Sequence, residues 1–97
     1  MKPVDQIQEK FEGKRPLFMP YFTLGYPDYD TALDVVEACA NAGADMMELG
    51  IPFSDPLADG PTIQRSTQVA LENGMTVERC LTAVSTLRAR NITIPFL

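Results

Sequence analysis

Short apolar runs alternate with amphipathic stretches along this chain, and that alternation restricts its fold more than any other feature. Leu17 to Leu24 is nearly continuous in apolar residues, bounded by Pro16 before and Gly25-Tyr26-Pro27 after, with Pro20 as a local irregularity. Met46 to Ile51 is a second run, interrupted by Glu48, and Ile92 to Leu97 is a third. Runs of this length and composition read as strands buried on both faces. Between them lie helical patterns. Asp28 or Asp30 caps a helix from about Thr31 to Ala42, with Leu33, Val36, Ala40 and Gly43 on one face and Gly43 placed as a left-handed C-cap. Pro61 suits the first position of a helix carrying Ile63, Val69 and Ala70, which Gly74 stops. Thr76 caps another, with Glu78 in its first turn, Arg88 and Arg90 in its last, and Val77, Leu81, Val84 and Leu87 as its apolar stripe. Ahead of all these, Val4, Ile7 and Phe11 fall at helical spacing before Gly13.

The resulting order is helix, strand, helix, strand, helix, helix, strand. It predicts an α/β fold of parallel βαβ units with right-handed crossovers. A parallel sheet of three strands exposes both edges, which complete proteins avoid. The expectation is therefore the opening of something larger, with inward-facing residues such as Met46 left wet.

Composition narrows function. Eight Lys+Arg against thirteen Asp+Glu leave a net charge of −5 with no basic run, which argues against nucleic acid and anionic membrane as partners. Hydrophobic content of 45% and charged content of 22% are globular values, which excludes bulk disorder. No apolar stretch is long enough to span a bilayer, and the first residues lack the apolar core of a signal peptide. Cys39 and Cys80 sit in helical patterns without metal spacing and read as reduced, half-buried thiols of a cytoplasmic chain. Histidine is absent, so acid–base chemistry falls to carboxylates or Tyr.

Two carboxylates stand out. Glu48 lies late in the second apolar run, on the same face as Met46 and Gly50. A lone carboxylate on an inner face is costly unless paired or used, and functional groups of α/β folds gather at the C-terminal ends of strands. The bland alternative is a Glu at a fraying strand end, reaching solvent or a salt-bridge partner. Asp59 lies in the loop leaving that run, and a loop folding back over Glu48 would put two carboxylates on one rim. The bland alternative makes Asp55 and Asp59 ordinary turn and cap residues. The glycines match no phosphate loop, and Ser54 has neither nucleophile-elbow context nor a His base. Of Tyr21 and Phe22, one must face the interior, and either could line a pocket.

From Glu48 to Gln64 (Glu-Leu-Gly-Ile-Pro-Phe-Ser-Asp-Pro-Leu-Ala-Asp-Gly-Pro-Thr-Ile-Gln) the sequence closely resembles the tryptophan synthase alpha chain family. Residues Pro20 to Pro27 and Asn41 to Asp45 are similar to it too, and the resemblance covers essentially all 97 residues. It implies a (β/α)8 TIM barrel with an extra N-terminal helix. Residues 1–97 would be the N-terminal part of that single domain, holding the helix and about the first three βα units. It implies a lyase that reversibly cleaves indole-3-glycerol phosphate to indole and glyceraldehyde 3-phosphate. The alpha chain would need no cofactor, and indole would pass to a beta subunit that uses pyridoxal phosphate in an α2β2 tetramer. Glu48 matches the acid–base residue. Asp59 matches the carboxylate that holds the indole N–H and balances the ring cation. Tyr21 and Phe22 are candidates to line the substrate pocket, with core packing as the bland alternative, and Tyr21 stands where other members often carry Phe. Phe53, Asp55 and Pro56 match the loop that touches the beta subunit. The phosphate-binding loops would lie in the missing part of the barrel, in keeping with the acidic balance here. A segment without them would be inactive alone. The competing reading is a catalytically silent partial barrel acting only in self-association or partner binding.

Overall fold

Tyr21, Phe22 and Thr23 form strand β1 (Tyr21–Thr23), which pairs in parallel with β2 (Glu48–Gly50) in the register Tyr21↔Glu48, Phe22↔Leu49, Thr23↔Gly50. The computed structural model describes residues 3–13, 15–52 and 60–97. Four helices complete it: α1 (Pro3–Glu12), α2 (Tyr29–Asn41), α3 (Pro61–Glu72) and α4 (Val77–Ala89). The element order matches the expected alternation. The strands are shorter than expected. Of Leu17–Leu24 only Tyr21–Thr23 is strand, because Pro16 and Pro20 have no N–H to donate to a ladder. The flanks still follow β2: Asp45 N–H donates to the Phe18 carbonyl at 2.8 Å, and Leu24 N–H to the Gly50 carbonyl at 3.0 Å. Nor is the run buried on both faces, since Phe18 and Met19 are exposed. The third run contributes one parallel bridge, Met47↔Phe96. Met47 N–H donates to Pro95 (2.9 Å), while Leu97 N–H donates to Met47 (2.8 Å), so this segment lies on the edge of β2 opposite β1.

The helices begin where side chains can cap them. Asp28 accepts from the Thr31 N–H at 2.8 Å and from its hydroxyl at 3.0 Å, and these bonds hold its carboxyl below the usual range. Thr76 accepts from Arg79 N–H at 3.1 Å at the start of α4. Pro61 occupies the first turn of α3, and Gly43 takes the expected left-handed conformation (φ +104°) after α2. The core gathers Leu24, Val36, Met47, Cys80 and Leu87 between one sheet face and the helices. One stripe differs from expectation. On α4 the buried face runs through Cys80, Ala83 and Leu87, with Val84 half-buried, while Val77 and Leu81 are exposed. Cys80 and Ala83 join Leu87 in the core as α4 packs beside α2, and the two larger residues turn outward. Cys80 is thus fully rather than half buried, and burial raises its thiol pKa. Along α1, Val4 and Phe11 are exposed.

Asp45 ties α1 to the sheet. It is 3% exposed. It forms a two-pronged ion pair with Arg15, lies 3.8 Å from the Lys10 ammonium, and accepts from Phe18 N–H at 2.8 Å. Arg15 first, then the Phe18 amide, lowers its pKa from 3.8 to about 2. Met46, next in the chain, is 2% exposed and not wet as expected. The depressed pKa gives a directional prediction. Above the unfolded carboxylate value of about 4 the stabilisation by Asp45 is complete, and it is lost as pH falls toward about 2. Asp45→Asn should therefore be less stable than the parent at neutral pH, with the gap closing across that window. Denaturant unfolding of both proteins from pH 7 to 2 checks this; a gap independent of pH would contradict it.

Candidate active site

The parallel register sets the site. Tyr21 and Glu48 are direct neighbours on one face of the sheet, and Gly50 follows two residues later on the same face. The opposite face, with Met47, Leu49 and Leu24, belongs to the helix-covered core. Glu48 opens β2 rather than closing it, two residues before the strand's C-terminal end. Its backbone N–H is anchored on the Pro20 carbonyl at 3.0 Å. Its side chain is exposed, and among the described residues its carboxylate has no hydrogen-bond or ion-pair partner. The expected cost of a buried charge is therefore not met here: Glu48 itself reaches water, while Met46 and Gly50 on the same face are buried.

The Tyr21 ring runs along this face past Glu48. A Cβ placed on Gly50 would lie only 2.1 Å from the Tyr21 phenol oxygen, so glycine at position 50 is what lets the ring lie flat. Tyr21 remains 38% exposed. Phe22 points the other way by strand alternation and packs against the core, its ring 6.2 Å from that of Tyr26. At the end of β1 a cavity of about 180 Å³ is lined by Tyr21, Phe22, Thr23 and Tyr26 on the strand side and by Thr62, Ile63 and Ser66 of α3. A larger cavity, about 660 Å³, lies between α1 and Thr93 beside Lys10 and Arg15, and among the described residues none of the expected site residues lines it. Tyr21 and Glu48 are thus brought together. Asp59, Phe53, Asp55 and Pro56 lie outside the described residues.

Other polar groups in this region carried no sequence signal of their role. Thr23, 3% exposed, shares a 2.9 Å hydrogen bond with Ser66 of α3. Asn73, after α3, donates to the carbonyls of Gly25 (3.1 Å) and Pro27 (2.5 Å). Both contacts span more than forty positions. Only the Asn-Gly pair at 73–74 hints at anything, and it hints at a turn. Among the described residues no cluster of His, Cys, Asp and Glu is placed to hold a metal ion, and no helix is long and apolar enough to cross a membrane.

Parallel βα units carrying a charged group beside an aromatic ring on one sheet face fit a segment of a (β/α)8 barrel, whose chemistry sits at the strand ends. Comparison with known proteins gives the family. The family profile described as tryptophan synthase alpha chain matches residues 7–97. The tryptophan synthase alpha chain of Chloroflexus aggregans is 58% identical over 98 residues, covering 97% of this chain and 37% of its own length. Among solved structures, tryptophan synthase subunit alpha from Legionella pneumophila superposes with a TM-score of 0.90 at 32% identity, covering 99% of this chain and 37% of that one. Tryptophan synthase from M. tuberculosis, in an open form with BRD0059 bound, gives 0.85 at 30%, covering 99% and 38%. The chain belongs to the tryptophan synthase alpha chain family, and it spans about a third of the length of the relatives it matches.

Proposed function

We propose that residues 1–97 form the N-terminal part of a single barrel domain that, when complete, cleaves indole-3-glycerol phosphate reversibly into indole and glyceraldehyde 3-phosphate. Glu48 is the acid–base group: it gives a proton to the indole ring carbon, and then takes the glycerol hydroxyl proton as the carbonyl forms, the carbon–carbon bond breaks and its electron pair returns to the ring. Asp59 accepts the indole N–H, and its charge balances the positive ring formed on protonation. Tyr21 borders the indole site, with Phe22 supporting it from the core side. The chain itself uses no cofactor. Phe53, Asp55 and Pro56 meet a beta subunit whose pyridoxal phosphate consumes the indole, in an α2β2 assembly in the cytoplasm. The observation that carries the reading is Glu48 itself: an exposed carboxylate, unpaired among the described residues, beside the Tyr21 ring on one face of the sheet.

A second reading, a catalytically silent segment that self-associates, is supported by Phe18, Met19 and Leu97, exposed apolar groups along the open strands. One assay separates the two. Indole release from indole-3-glycerol phosphate is expected at background for the 97 residues alone, since positioning by the remaining barrel contributes on the order of 7–11 kcal/mol to such a step. The same residues within a complete barrel are expected to turn over. Background rates in both would favour the silent reading.

A further inference from the structure

The third apolar segment holds the chain on either side of Glu48. Met47 N–H donates to the Pro95 carbonyl at 2.9 Å, and Leu49 N–H donates to the Leu97 carbonyl at 2.9 Å. Leu97 N–H donates back to the Met47 carbonyl at 2.8 Å. The amide of Glu48 itself is held from the other edge, by the Pro20 carbonyl at 3.0 Å. A shift of residues 95–97 therefore moves the backbone that carries Glu48.

That segment is in turn clamped from α4. Arg88, in the last turn of the helix, donates from Nη1 to the carbonyls of Ile92 at 2.9 Å and Ile94 at 2.7 Å. A guanidinium only donates and a carbonyl only accepts, so the sense of both bonds is fixed. The guanidinium carbon also lies 4.1 Å from the centroid of the Phe96 ring, and Phe96 is the residue bridged in parallel to Met47. A basic residue near a helix C-terminus ordinarily serves that helix's own last carbonyls. Here both acceptors lie beyond α4, which ends at Ala89, so the clamp is directed at the strand segment. Arg88 thus holds residues 92, 94 and 96, while residues 95 and 97 hold Met47 and Leu49.

We propose that Arg88 is a positioning residue for the lyase reaction, fixing the backbone of β2 at Glu48 through the 92–97 segment. This rests on the acid–base assignment of Glu48 above. Arg88 acts through the segment and not on the reacting atoms. A misplacement near 1 Å can slow a positioned reaction by about 10².

The test uses the complete barrel carrying Arg88→Ala, verified as folded by circular dichroism, or Arg88→Met where the alanine variant does not fold. Amide exchange at Met47 and Leu49 is expected to be at least about fivefold faster than in the parent. Leu24, whose amide donates to Gly50 across the β1–β2 edge, is expected to change less than about twofold. The kcat for indole release is expected to fall about tenfold, with KM changed less than about twofold. In a Glu48→Gln background the same substitution is expected to add no further loss, because the group it places no longer transfers a proton. A variant that is merely less stable would lose the same factor in both backgrounds. Parent-like kcat, unchanged exchange at Met47 and Leu49, or an equal fractional loss in the two backgrounds would overturn the proposal. Parent-like turnover of Glu48→Gln alone would instead overturn the acid–base assignment beneath it.

Discussion

Glu48→Gln in the complete barrel is expected to reduce lyase turnover by roughly 10²–10⁴, the usual contribution of a positioned acid–base group. The amide has nearly the volume of the carboxyl but cannot give or take the proton. Stability should change by no more than about 0.5 kcal/mol, because Glu48 is exposed and has no side-chain partner among the described residues. That separation of activity from stability makes the result informative. Loss of both together would mark Glu48 as a structural group, and near-parent turnover would remove it from the mechanism. The readouts are kcat for indole release and the unfolding midpoint of the same preparation.

The largest stability loss is expected at Gly25. Its φ of +93° is a conformation that side chains resist, at about 1–2 kcal/mol. A Cβ there would also stand 2.1 Å from Cγ of the buried Met75 and 3.2 Å from Cβ of Ala70, and overpacking a core adds about 1–3 kcal/mol. Gly25→Ala should therefore destabilise by about 2–5 kcal/mol. Gly43 supplies the control. Its φ is +104°, but nothing lies within 4 Å of an added Cβ, so Gly43→Ala should show the conformational part alone. Equal losses in equilibrium denaturation would mean that Met75 and Ala70 do not pack against the β1–α2 loop as described.

Element order was readable because apolar runs and amphipathic stretches have different periods and are separated by Gly, Pro and capping residues. Asp28, Gly43, Pro61 and Thr76 stand at helix ends, three as N-terminal signals and Gly43 as a C-terminal one. Strand length was less readable: an apolar run records burial or its potential, whereas pairing depends on donors that Pro16 and Pro20 lack. The α4 stripe is less readable because Val77 and Leu81 are the larger apolar side chains, although the face that α4 turns to the core carries Cys80, Ala83 and Leu87. At the site, strand alternation placed Glu48 and Gly50 on one face, and the observed register put Tyr21 beside them. Asp45 gave no sign of its role, because its partners Arg15, Lys10 and Phe18 are brought to it by the fold and not by spacing. The same holds for Thr23 with Ser66 and for Asn73 with Gly25.

The central claim is that Glu48 and Asp59 of this segment act as one acid–base device. The direct measurement is single-turnover indole release by the complete barrel as parent, Glu48→Gln, Asp59→Asn and the double variant, each verified as folded. Groups serving one step are strongly non-additive when removed. The parent should release indole, each single variant should lose most of that rate, and the double variant should be about as slow as the slower single. A double variant slowed by the full product of the two single effects would contradict it, as would a single variant that keeps the parent rate.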